Sequence, residues 1–183
     1  GEFGGQAIAE ALFGDYNPGG RLAVTFPKSV GQIPFAFPFK PGSDESSETS
    51  VYGALYPFGH GLSYTTFQYS DLAISPSKQG VQGNISISCT IKNIGQREGD
   101  EVVQLYLRDE VSSVTTYTQV LRGFERITLK PEASHTVHFE LTPQELGIWD
   151  KQMNFTVEPG MFKVMIGSSS KDIRLKGEFE IAQ

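Results

Sequence analysis

The 183 residues are 38% hydrophobic and 20% charged, with a formal net charge of −6 and a pI near 5.1. That balance belongs to a globular protein and argues against a nucleic-acid or anionic-membrane partner, which would need a clustered basic face; no apolar run is long enough to cross a bilayer. Twenty Gly and thirteen Phe favour a turn-rich β protein over a helical bundle, and the single Cys89 can form no intrachain disulfide and nucleate no metal site alone.

The chain opens at Gly1-Glu2-Phe3-Gly4-Gly5 and enters a helical pattern at once, so the expectation is one piece of a longer polypeptide. Residues 6–13 are strong helix formers with Ile8, Ala11 and Leu12 able to share a face, and Gly14 is a C-terminal stop. Asp15-Tyr16-Asn17-Pro18-Gly19-Gly20 is turn chemistry, and 21–26 alternates as a short strand ended by Pro27. Helix, turn and strand make one step of an α/β layer, too small to bury a core without the rest of a sheet. From 31 to 50 the chain is irregular, first aromatic and Pro-rich, read as an extended segment lying on a surface. It then turns acidic and Ser-rich around Asp44, Glu45 and Glu48, read as a solvated loop.

The run Leu55-Tyr56-Pro57-Phe58-Gly59-His60-Gly61-Leu62-Ser63-Tyr64 is neither helix nor central strand, because Pro and the paired Gly break both. Two readings fit it: an ordered crossing between two structural units, or an aromatic loop packed on its own core. Beyond it strands come regularly, at 67–74, 81–93, 100–108, 120–129, 134–141, 154–157, 162–167 and 173–181. Short strands separated by turn signals over little more than a hundred residues imply an antiparallel β-sandwich. Cys89 falls on the Ile85/Ile87/Ile91 face of the second strand, which makes it a small buried residue.

Several phrases are similar to glycoside hydrolase family 3. Residues 4–22 with Thr25-Phe26-Pro27-Lys28 resemble the last helix and strand of that family's α/β sandwich domain. Residues 56–67 resemble its junction to a fibronectin type III-like domain. Asn93-Ile94-Gly95, 101–106, 121–126 and 157–170 resemble that domain itself. The chain departs from the family at Phe35-Ala36-Phe37-Pro38, where members often carry Val-Tyr-Tyr-Asn, and at 115–118, where many have a Pro. The resemblance implies a mainly β chain: a remnant of the α/β sandwich domain at 1–66, then a fibronectin type III-like β-sandwich at 67–183. It implies service in a retaining β-glycosidase acting on terminal β-glucosyl or β-xylosyl residues, by an Asp nucleophile and a Glu acid/base about 5 Å apart. In the family both lie upstream of the helix that starts this chain, in the N-terminal barrel and sandwich portions that would be its partners. No residue here is therefore expected to be catalytic, to bind a cofactor or to ligate a metal, and the chain is expected to be inactive alone. An extracellular or periplasmic location is implied by the resemblance only. The alternative is a free-standing β-sandwich module that binds carbohydrate or protein.

The carboxylates and rings in view are read accordingly. Glu2 lies just before a helix N-terminus, where an acidic residue interacts favourably with the dipole. Asp100-Glu101 and Asp109-Glu110 flank one strand and are expected to face solvent at its ends. His135 and His138 are three apart on a strand, hence on opposite faces and unsuited to one metal, while His60 is a structural histidine able to hydrogen-bond across the joint. Trp149 is the one candidate for stacking on a sugar, weighed against a sandwich-core or edge aromatic. Asn84-Ile85-Ser86 and Asn154-Phe155-Thr156 are glycosylation sequons, meaningful only in a eukaryotic secretory host.

Overall fold

Alternation along residues 85–93 dictates the architecture. Ile85, Ile87, Cys89 and Ile91 are buried, whereas the intervening Ser, Thr and Lys side chains are exposed or half-buried, so this strand shows one face to a core and one outward. The computed structural model describes residues 1–43 and 53–183. Its elements are helix α1 (Gly4–Phe13), strands β1 (Phe26–Pro27), β2 (Ala54–Tyr56), β3 (Phe67–Ser75), β4 (Lys78–Gly80), β5 (Ile85–Asn93), β6 (Gly99–Asp109), β7 (Val120–Leu129) and β8 (Ser134–Leu141), helix α2 (Pro143–Leu146), and strands β9 (Ile148–Trp149), β10 (Phe155–Thr156), β11 (Gly160–Gly167) and β12 (Ile173–Ala182). The acidic stretch with Asp44, Glu45 and Glu48 lies outside the described residues.

Two sheets make the sandwich: a five-stranded one in the order β4-β12-β11-β6-β7 and a three-stranded one in the order β3-β5-β8. Neighbours are antiparallel except β4, which runs parallel to the end of β12, with Lys78 opposite Glu180. Val103, Leu105 and Leu107 of β6, Val164 and Ile166 of β11 and Phe179 of β12 meet Ile85, Ile87 and Ile91 of β5 and Val137 of β8 in one buried cluster. Cys89 lies inside it, and burial pushes its thiol up to about 11, so it is a core residue rather than a reactive one.

The departures from the sequence reading are local. The second sandwich strand, β5, starts at Ile85 because Gly83 N–H closes a turn on Gly80 C=O. Of the expected strand at 21–26 only Phe26 pairs with β2, and Pro27, expected to end it, pairs as well; Leu22 instead exchanges backbone bonds with Gly59 and His60. Helix α2 was signalled by Thr142-Pro143-Gln144-Glu145, whose Thr142 and Glu145 form a capping box. Helix α1 ends as expected, at Gly14 with φ 85°. None of its residues is buried, and Leu12 is 74% exposed.

Leu105 sits at the centre of the core with no exposure, so Leu105→Ala is expected to cost about 2–5 kcal/mol in urea unfolding. Ile94→Ala, at an exposed corner, should stay within about 0.5 kcal/mol.

Candidate functional site

Strand β6 is covered on both faces. Its odd residues from Val103 to Leu107 enter the sandwich core, yet Gln104 and Tyr106, on the opposite face, are buried too. What covers them is the segment before the sandwich. Phe58 stacks on Phe37 with ring centroids 4.6 Å apart, and Phe37 stands edge-on to Tyr106 at 5.7 Å. Gln104 Nε2 donates to Gly59 C=O at 3.2 Å and to Ser168 C=O at 2.6 Å, and its Oε1 accepts from the Tyr106 hydroxyl. Ser170 N–H donates to Phe58 C=O. Gly59 is obligatory here: its φ is +82°, and a Cβ would stand 2.1 Å from Gln104 Oε1. The run around Phe58 is thus a crossing packed on another unit, not a loop packed on itself.

A polar cluster closes the sandwich end beside this plug. Arg21 donates to Glu101 Oε2 at 2.9 Å, with the two side chains only 8% and 4% exposed. The Tyr69 hydroxyl donates to Glu101 Oε1 at 2.8 Å, and Arg174, itself paired with Asp172, lies over the Tyr69 ring. Burial pushes the Glu101 carboxyl above its ordinary range, while Arg21 and Tyr69 pull it back. Asn17 is a second tether: Nδ2 donates to Glu98 C=O, and Oδ1 accepts from Tyr64 N–H and Ser63 Oγ. The aromatic 33–39 segment lies on the sandwich as expected, with Phe39 C=O accepting from Thr118 N–H in the loop before β7. The joint is preorganised by backbone and side chain together, which suits holding one unit against another.

The sequence candidates disperse. Glu2 is exposed ahead of α1. Asp100 pairs with Arg126 and Thr128 at the start of β6, but Glu101 does not face solvent: it is buried because it shares the inward face of β6 with Val103 and Leu105, a phase visible in the sequence. Glu110 forms ion pairs with Lys163 and Arg108, and Asp109 is half-buried with, among the described residues, only Val111 N–H on it. His60 stacks on Tyr56 at 5.1 Å within its own segment instead of reaching across. His135 and His138 are exposed. Trp149 is not a core aromatic; it is 60% exposed on the β9–β10 hairpin. Among the described residues no three His, Cys, Asp or Glu side chains come together.

Two family models match the chain, one described as the glycosyl hydrolase family 3 C-terminal domain over residues 1–64 and one as a fibronectin type III-like domain over residues 101–170. A periplasmic β-glucosidase of Salmonella typhimurium is 44% identical over 97% of this chain and 25% of its own length. A β-xylosidase of Formosa agariphila is 43% identical over 94% of this chain and 24% of its own. The solved β-glucosidase of Erythrobacter marinus matches with a TM-score of 0.91 at 39% identity, over 98% of this chain and 24% of that one. The chain spans about a quarter of the length of the relatives it matches.

Removing Arg21 leaves Glu101 buried without its cation, so Arg21→Ala should cost about 3–5 kcal/mol at pH 7 in denaturant unfolding. Arg21→Met combined with Glu101→Gln should recover part of that loss. A second outcome follows from Asp109, whose carboxyl burial raises from 3.8 to about 6. The folded state then holds the proton more tightly than the unfolded one, so this group favours folding at acid pH and ceases to as pH rises through about 6. Relative to Asp109→Asn, the native chain should lose stability as pH rises from 3.8 to about 6 and change little beyond; a difference that does not change with pH would contradict the assignment.

Proposed function

The chain belongs to glycoside hydrolase family 3, and from that premise we propose that it serves as a scaffold within a longer retaining β-glycosidase. The substrates are terminal β-D-glucosyl or β-xylosyl residues, supported by the β-glucosidase and β-xylosidase among its relatives. The observation that carries this reading is the unequal distribution of exposed apolar surface. Of the 21 exposed large hydrophobic residues among those described, 13 lie in the first 64 positions, including Ile8, Leu12 and Phe13 of α1. An apolar helix with none of its residues buried needs the remainder of an α/β layer to cover it. The partners are accordingly the barrel and sandwich portions of the same enzyme. The division at 1–66 and 67–183 is part of the proposal, supported by the separate matches to the two family models.

The proposed work is positional. Retaining hydrolysis needs two carboxyl groups about 5–5.5 Å apart, and displacement of a reacting group by about 1 Å can cost a hundredfold in rate. A sandwich locked to the α/β remnant by Phe37, Phe58, Gln104 and the Arg21–Glu101 pair resists such displacement. An extracellular or periplasmic location belongs to the same proposal, supported by the periplasmic relative.

The 183-residue chain, incubated with p-nitrophenyl β-glucoside and β-xyloside, is expected to release nothing above the blank, whereas the longer polypeptide containing it hydrolyses at least one. Leu12→Asp should leave the thermal midpoint of the isolated chain unchanged and lower that of the longer polypeptide. Turnover by the isolated chain, or equal midpoints in both settings, would sink the scaffold reading.

A further inference from the structure

At one end of the sandwich, away from the Arg21–Glu101 cluster, a cavity of about 280 Å³ opens between β6, β7 and α2. Its floor is apolar, made by Leu107, Leu146 and Phe162 of the core. Four charged groups line it, Lys40, Asp109, Arg122 and Glu145, with exposed Tyr117 and Trp149 at the rim.

The polar groups have bonding capacity to spare. Arg122 Nε is buried and has no hydrogen-bond partner among the described residues. The hydrogen bonds that Thr142 N–H and Oγ1 donate to the Glu145 carboxylate both fall on Oε2. Among the described residues Asp109 accepts only from Val111 N–H, through Oδ1. Arg21 Nε and Glu110 Oε1 are likewise buried without a hydrogen-bond partner among the described residues, and what sets Arg122 apart is the apolar floor and exposed indole of the cavity it lines.

Trp149 is held rigidly at the mouth. Phe155 stands against it edge-on at 5.5 Å on the partner strand of the hairpin. Phe155 in turn fills the space that any side chain at position 147 would need, since a Cβ on Gly147 would lie 2.4 Å from its ring. Asp150 Oδ1 ties the hairpin turn by accepting from Gln152 and Asn154 N–H at 2.8 Å each. A large ring kept in water on a stiff hairpin, beside a cavity with convergent polar groups, is the composition of a small-molecule site.

The chemistry selects the ligand. A pyranose presents an apolar C–H face, which an indole face takes, and a girdle of hydroxyls, which pair with carboxylates and a guanidinium. Two carboxylates set against the Arg122 guanidinium and the Lys40 ammonium balance in charge, which suits an uncharged ligand. We propose that this cavity is an accessory sugar subsite that takes one pyranosyl ring of a β-linked gluco- or xylo-oligosaccharide, with Trp149 as stacking platform and Arg122, Asp109 and Glu145 as hydroxyl partners. The choice of sugar rests on the glycosidase reading above; the cavity does not. The subsite performs no chemistry and holds substrate chains near the enzyme.

Trp149 is the chain's single tryptophan, so its emission reports on this site alone. Titration of the 183-residue chain with cellobiose and with xylobiose is expected to give a saturable change in that emission, with a midpoint in the millimolar range, for at least one of the two. Arg122→Met, with unchanged far-ultraviolet circular dichroism, should weaken the midpoint about tenfold or more. No saturable change with either disaccharide, or an unaltered midpoint in Arg122→Met, overturns the proposal. If the isolated chain binds neither sugar while the longer polypeptide hydrolyses its glycosides, the subsite fails and the glycosidase reading survives. Binding without any hydrolysis by the longer polypeptide keeps the subsite and removes the glycosidase reading.

Discussion

The structure depends on a strand that must be dry on both sides. An antiparallel sheet of a small sandwich ordinarily gives one face to the core and the other to water. β6 cannot, because Tyr106 and Gln104 occupy its outer face and Gln104 offers polar atoms that need partners once water is gone. The preceding segment meets both demands at once: rings for Tyr106, and the carbonyl of Gly59 for Gln104. The sandwich and the segment before it are therefore one packing problem, although they match two different family models.

The Arg21–Glu101–Tyr69 cluster adds direction rather than bulk. Apolar surfaces slide over one another at small cost, whereas a buried carboxylate accepts from one guanidinium and one hydroxyl in one geometry. Arg21 is brought there by the turn at Asn17-Pro18-Gly19-Gly20, itself fastened through Asn17 to the residues on either side of the joint. This also explains why most of the expected strand at 21–26 is not strand. Its backbone groups bond to Gly59 and His60, and a segment committed to the joint cannot also extend a ladder.

The two ends of the sandwich differ in chemistry. At one end Arg21, Glu101 and Tyr69 pair with one another, with Arg21 Nε left over among the described residues. At the other, Arg122 Nε is left over in the same way, but beside an exposed tryptophan.

The sandwich was legible in the residues alone: period-two alternation and turn residues placed β7 and β8 with the same limits that the structure has and put Cys89 in the core. The aromatic run by itself fits both a crossing and a loop packed on itself, and only the contacts of Phe37, Phe58 and Gln104 decide for the crossing. The sequence also carried, unread, the phase that buries Glu101 with Val103 and Leu105, and the capping box that starts α2. Other features had no local signal. The parallel pairing of β4 with β12 joins positions about a hundred residues apart, and three residues of Lys78–Gly80 hold no pattern that announces it. Whether Glu101 meets a cation, whether His60 stacks or reaches across, and whether Trp149 is core or rim depend on which distant segment arrives beside each. Alternation tells a side chain which way to face. Only the tertiary structure decides what it faces, because that neighbour is supplied by long-range packing rather than by the strand itself.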